Sequence, residues 1–167
     1  AIGIWSIAAK KFNKPAHIVI DRETTLAKPL LDAFIHDGHE DIFLSPMQAL
    51  SMYDQEALLV IEDTHSGDFL ESREVYNASK QVVVIDHHRK MVNYIDHAVI
   101  FYHEPYASSA SEMVTELVEY LAENKLSQTE ADALLSGIML DTKSFVLKTG
   151  VRTFEAAAFL RRKGADT

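Results

Sequence analysis

The stretch Gln81-Val-Val-Val-Ile-Asp-His-His-Arg-Lys90 constrains this chain more than any other. Four consecutive β-branched residues, Val82 to Ile85, suit a strand covered on both faces, and such strands belong to parallel sheets. The apolar run stops abruptly at Asp86, His87, His88 and Arg89. Open α/β sheets bind their ligands outside the carboxyl ends of the strands, which is where these four residues fall. The chain turns here, so both imidazoles can converge on one crevice although neighbouring strand residues face opposite ways. A metal ion with a polyanionic substrate is the first chemistry this cluster supports.

The rest of the chain repeats the same plan. Short apolar segments at His17–Asp21, Asp41–Leu44, Ala57–Ile61 and Ala98–Tyr102 read as further strands. Helical patterns separate them: Leu26–Asp37 stopped by Gly38, a short helix opened by Ser45-Pro-Met-Gln48, and another around Ser72–Ser79. Parallel neighbours need such crossovers, so the pattern predicts a three-layer αβα domain with a mostly parallel sheet of about five strands. After the last strand the chain is helical: Ser111–Asn124, a helix opened by the capping box Ser127-Gln-Thr-Glu130 that delivers Asp141 near its end, and a final helix after Gly150.

Composition narrows the function. The 167 residues suit one domain, and a net charge of −9 supplies no basic face for non-specific binding to DNA. An anionic substrate therefore needs local positive charge, which metal ions provide. The absence of Cys excludes disulfides and thiolate ligands. No apolar run approaches the roughly 20 residues of a membrane span, so no membrane contact is expected of this segment.

Asp63 lies just past the third strand, as Asp86 ends the fourth. Two acids at neighbouring strand ends repel unless a cation lies between them. A single acid after a strand more often caps a turn, and a lone histidine is more often structural or exposed. The combination with His87 and His88 favours metal, and carboxylate with imidazole but no thiolate favours manganese, magnesium or iron. Asp141 near a helix C-terminus opposes the helix dipole and calls for a compensating partner, or else belongs to a solvated turn with Thr142, Lys143 and Ser144. Ser108 and Ser109 at a helix start are candidates for phosphate contacts, with capping as the competing role. His65 is intermediate because it neighbours Asp63, and His17, His36, His39, His97 and His103 read as structural or surface residues.

Asp63-Thr-His65, Asp86-His-His88 and Gly137-Ile-Met-Leu-Asp141 together resemble the DHH phosphoesterase superfamily. Tyr106-Ala-Ser-Ser-Ala-Ser-Glu112 and the run from Asp141 to Ala158 are similar to the GdpP type of cyclic-di-AMP phosphodiesterase. That resemblance implies a metal-dependent hydrolase using two Mn2+ ions. Asp63 would bridge the ions, His87 and Asp141 would ligate one of them, Asp86 would orient the site, and His88 with Arg89 would lie near the scissile phosphate. It also implies a cyclic dinucleotide substrate, opened to linear pApA, and a cytoplasmic location in a membrane-anchored bacterial parent; a homodimer is compatible with it. Another activity of the superfamily, on short oligonucleotides, polyphosphate or pyrophosphate, is the alternative, as is a non-catalytic regulatory domain.

The opening Ala1-Ile-Gly-Ile-Trp-Ser-Ile-Ala-Ala-Lys-Lys-Phe12 has helical periodicity without an N-cap, and the family's first motif and its DHHA1 domain have no counterpart here. The expectation is a partial DHH subdomain over residues 1–167, weakly active or inactive by itself.

Overall fold

A computed structural model describes residues 1–166. In chain order the elements are α1 (Ile2–Ser6), β1 (Ile18–Val19), α2 (Lys28–His36), β2 (Phe43–Leu44), α3 (Pro46–Met52), β3 (Leu58–Glu62), α4 (Arg73–Ala78), β4 (Gln81–Asp86), β5 (Ile100–His103), α5 (Ala110–Ala122), α6 (Gln128–Thr142) and α7 (Val151–Arg162). They form two compact units: an α/β unit, His17–His103, and a helical unit made of Ala1–Ala16 with Glu104 onward.

The α/β unit holds all five strands, every pairing parallel, as expected of strands joined by helical crossovers. The expected sheet is divided, however. β1 and β2 form a two-stranded sheet, while β3, β4 and β5 form a three-stranded one with β4 at its centre. β1 and β2 each contribute only two residues to their ladder, too few to template a wider sheet. In the larger sheet, Leu58–Glu62 pair with Gln81–Ile85, and Val83–Asp86 pair with Ile100–His103. Val82 and Val84 are fully buried beside Ile61 and Ile95, with Leu59, Leu70, Tyr76 and Phe101 packed around them. Burial on this scale, at about 1.5–3 kcal/mol for each large aliphatic side chain, anchors the strand whose end carries the acid and imidazoles.

In the helical unit, α1, α5, α6 and α7 pack against one another. Met113, Val114, Val118, Ala131, Leu134, Ile138, Phe159 and Leu160 are among its buried apolar residues. The expected opening helix forms, with a single α-helical turn that widens into a π-helix over Ile7–Lys11. The capping boxes at Ser45 and Ser127 both form. α5 and α6 cross closely at Gly137, where an added Cβ would lie 2.1 Å from Ser111 Oγ. Among the described residues no helix is long and apolar enough to cross a membrane.

Candidate functional site

Asp63 follows β3 with φ 64°, a left-handed conformation that Asp tolerates better than most residues. Its N–H donates to Ile85 O at 3.0 Å, which carries the β3–β4 ladder one step further and brings Asp63 beside the end of β4. There His87 Nε2 lies 3.3 Å from Asp63 Oδ1, and the rings of His87 and His88 are 4.4 Å apart between centroids. Asp63, His87 and His88 each present one ligand atom within 4.8 Å of the others. His87 is buried, while Asp63 and His88 are about half exposed, so the group opens outward from the sheet end. One carboxylate oxygen and two imidazole nitrogens at this spacing fit a divalent cation of the Mg2+, Mn2+ or Fe2+ type, with no thiolate to select zinc.

Asp86 is fully buried behind this group. Its Oδ1 accepts from His87 N–H at 2.9 Å, His88 N–H at 3.3 Å and His88 Nδ1 at 2.8 Å, and its Oδ2 is hydrogen-bonded to His65 Nδ1. Burial pushes the Asp86 carboxyl up, but the hydrogen bonds from His65 and His88 together outweigh it and hold the group below the ordinary aspartate value. His65 Nε2 in turn lies 2.8 Å from Met91 N, and His103 Nε2 donates to His88 O at 2.6 Å. His65, Asp86 and His103 also lie within ligand distance of one another, but the Asp86 oxygens and His65 nitrogens are already engaged, so this group is a hydrogen-bond cluster supporting the outer one.

Sequence reading left His103 with the structural histidines and His65 undecided. Both act through the loop after β4, and no local spacing signals this, because the partners lie 15 to 26 residues away. Arg89 is exposed on the same loop, and Lys90 is drawn aside, its Nζ 3.7 Å over the Tyr94 ring.

Asp141 lies half-buried in the last turn of α6, in the helical unit, whereas Asp63 and His87 belong to the α/β unit. It does not precede a loose turn. The buried Thr142 donates from Oγ1 to Ile138 O at 2.7 Å and accepts from Phe145 N at 2.9 Å, while its carbonyl takes the N–H groups of Val146 and Leu147. Three successive left-handed residues, Lys143, Ser144 and Phe145, close this loop. Ser108 and Ser109 are buried, and their hydroxyls serve the fold: Ser109 Oγ caps α5 through Glu112 N, and Ser108 Oγ donates to Glu112 Oε2 at 2.6 Å.

Comparison with known proteins places this geometry. The family described as "DHH family, N-terminal domain" matches residues 1–138. The cyclic-di-AMP phosphodiesterase GdpP of Geobacillus thermodenitrificans is 52% identical over 174 residues, and that of Bacillus subtilis 42% over 171; each alignment covers 100% of this chain and 26% of the relative. The chain thus spans about a quarter of the length of these curated relatives. Among solved structures, an exopolyphosphatase-related protein from Bacteroides fragilis superposes with a TM-score of 0.72 at 18% identity, covering 99% of this chain and 48% of that one. That likeness shows the same α/β fold. From the residue match and the fold together, the chain belongs to the DHH family and carries its N-terminal domain.

Proposed function

We propose that this chain provides the metal-binding part of a phosphodiesterase that hydrolyses cyclic di-AMP to linear pApA. The observation that carries the reading is the juxtaposition of Asp63 and His87, 3.3 Å apart at the ends of adjacent parallel strands, in a chain that aligns end to end with relatives named for that activity. Asp63 and His87 hold a divalent cation. Bound there, a pair of Mn2+ ions supplies Lewis-acid chemistry, neutralising phosphate charge and lowering the pKa of water.

The chain's own residues do the rest. Asp86 takes the Nδ1 hydrogen bond of His88, leaving Nε2 as the nitrogen available to the substrate phosphate. Arg89, exposed on the same loop, offers a planar cation to phosphate oxygens. Selectivity for a cyclic dinucleotide resides in a DHHA1 domain of the parent protein, which is bacterial and membrane-anchored with this part in the cytoplasm.

The test uses the full-length protein with Mn2+ and cyclic di-AMP, following pApA release. Turnover that Asp63→Asn abolishes, together with low or no turnover by residues 1–167 alone, is the expected result. Undiminished turnover by the Asp63→Asn protein, or faster cleavage of pyrophosphate, polyphosphate or short oligonucleotides, overturns it.

A further inference from the structure

A buried imidazole that donates from one ring nitrogen and accepts at the other is locked in a single tautomer, and His65 meets both conditions. The Met91 N–H points at His65 Nε2 from 2.8 Å. A backbone N–H is only a donor, so Nε2 carries no proton and the ring hydrogen sits on Nδ1. That nitrogen faces Asp86 Oδ2, so the protonated Nδ1 donates and the carboxylate oxygen accepts. The direction of every bond in the chain is therefore fixed: Met91 N–H to His65 Nε2, His65 Nδ1–H to Asp86 Oδ2. On the other oxygen of the same carboxylate, His88 is bound by Nδ1.

We infer that His65 is a positioning residue: it fixes the rotation of the Asp86 carboxylate and the path of the 87–91 loop, and through them sets the tautomer and aim of His88. The observations converge on this role. His65 is 1% exposed and Asp86 fully buried, so water cannot substitute for either partner. Without His65, Asp86 Oδ2 loses this donor and the carboxylate is held through Oδ1 alone, so its rotation about Cβ–Cγ loosens and with it the alignment of Oδ1 with His88 Nδ1. The Met91 N–H loses its acceptor at the same time, and the loop bearing Arg89 loses its tie to the segment after β3. His103 supports the arrangement by donating to the His88 carbonyl, but it has no hold on the carboxylate. His65 thus touches neither substrate nor metal in this role.

The experiment needs neither ligand. Nitrogen-15 spectra of the histidine rings in this chain are recorded at mildly alkaline pH. They should show His65 and His88 each as a single Nδ1–H tautomer. Two amide variants separate the two bonds. His65→Asn puts an N–H2 where Nδ1 was and keeps the donor to Asp86, while His65→Gln reaches the Nε2 position and keeps an acceptor for Met91. His65→Phe removes both.

In His65→Phe, and in His65→Gln, His88 should become a mixture of tautomers; in His65→Asn it should return to the Nδ1–H form. Met91 amide exchange should quicken on the order of tenfold in His65→Phe and His65→Asn, the loss of one hydrogen bond, and recover in His65→Gln. Far-ultraviolet circular dichroism confirms that each variant remains folded; should His65→Phe unfold, the contrast between Asn and Gln carries the test. A mixed His88 tautomer in the unaltered chain, or His88 and Met91 unchanged in folded His65→Gln and His65→Asn respectively, overturns the inference. Because the role of His88 in hydrolysis rests on the proposed function, failure of turnover would refute that function and leave these spectra to decide the positioning role.

Discussion

Two buried acids, Asp86 in the α/β unit and Glu112 in the helical unit, gather hydrogen bonds in similar number and to opposite ends. Asp86 collects imidazole and loop N–H donors whose other atoms lead outward, to His88 Nε2 and to the Met91 loop. Glu112, 1% exposed, collects Ser108 N–H, Ser108 Oγ and Thr153 Oγ1 on a single oxygen, and Thr153 Oγ1 in turn accepts from Gly150 N–H at the start of α7. Its network closes on two helix starts and leads nowhere outside. A buried carboxyl group is therefore no mark of chemistry by itself; the partners' remaining valences decide whether it organises a site or a fold.

The contrast can be broken by removing each acid in turn. Glu112→Ala strands two buried hydroxyls and the Ser108 N–H, at about 1–3 kcal/mol for each donor that finds no other partner, so thermal unfolding should show a loss of about 3 kcal/mol or more. Metal affinity of the α/β unit, measured by calorimetry with Mn2+, should stay within about twofold. Asp86→Asn retains shape and half the acceptor capacity, and should cost less stability, about 1–3 kcal/mol, yet weaken Mn2+ binding about 10- to 100-fold through the disturbed imidazoles. Equal effects of the two substitutions on metal affinity would erase the distinction.

Acid sharpens the same comparison. Asp86 is held below the ordinary aspartate value, so its stabilising effect is complete above about pH 3.9 and is lost as the pH falls through its lowered folded value. Urea unfolding of the parent chain and Asp86→Asn should therefore differ most near neutrality and converge in strong acid; a constant gap across that range would show that the charge is irrelevant.

Two smaller substitutions probe the helical unit alone. Gly137→Ala forces a methyl against Ser111, with Oγ at 2.1 Å and Cβ at 3.0 Å, and should cost about 1–3 kcal/mol, partly recovered by adding Ser111→Gly. Ser109→Ala removes only the α5 cap and should cost about 1 kcal/mol in denaturant midpoint. If Ser109→Ala left stability unchanged and instead weakened substrate binding by the full-length protein, the hydroxyl would belong to phosphate after all.

What the sequence made legible was local. The β4 run, the capping boxes at Ser45 and Ser127 and the ending of α6 all follow from spacing within a few residues, and the structure realises each of them. The division of five strands between two sheets was not legible, because pairing is settled between segments tens of residues apart and β1 offers only two residues to compete for it. At the site, Asp63, His87 and His88 announce themselves by residue type at strand ends. His65 and His103 do not, since an imidazole used for its two hydrogen-bonding edges looks in sequence like any other. The tied loop after Asp141 escaped notice for a related reason: Lys143, Ser144 and Phe145 carry none of the glycines that usually mark left-handed backbone.

The positive φ of Asp63 has a bearing on how this position can vary. On the proposed metal-binding role it must meet two demands, a carboxylate oxygen and a left-handed backbone, and few residues meet both. Glu keeps the charge but strains the backbone; Gly relaxes the backbone but brings no side chain; Asn keeps the conformation and the side-chain shape while discarding the charge. Chains of this fold that have given up the chemistry but kept the architecture should therefore drift at this position toward Asn or Gly rather than Ala or Glu, and a comparison of Asp63→Asn with Asp63→Ala would separate the worth of the charge from the worth of the turn.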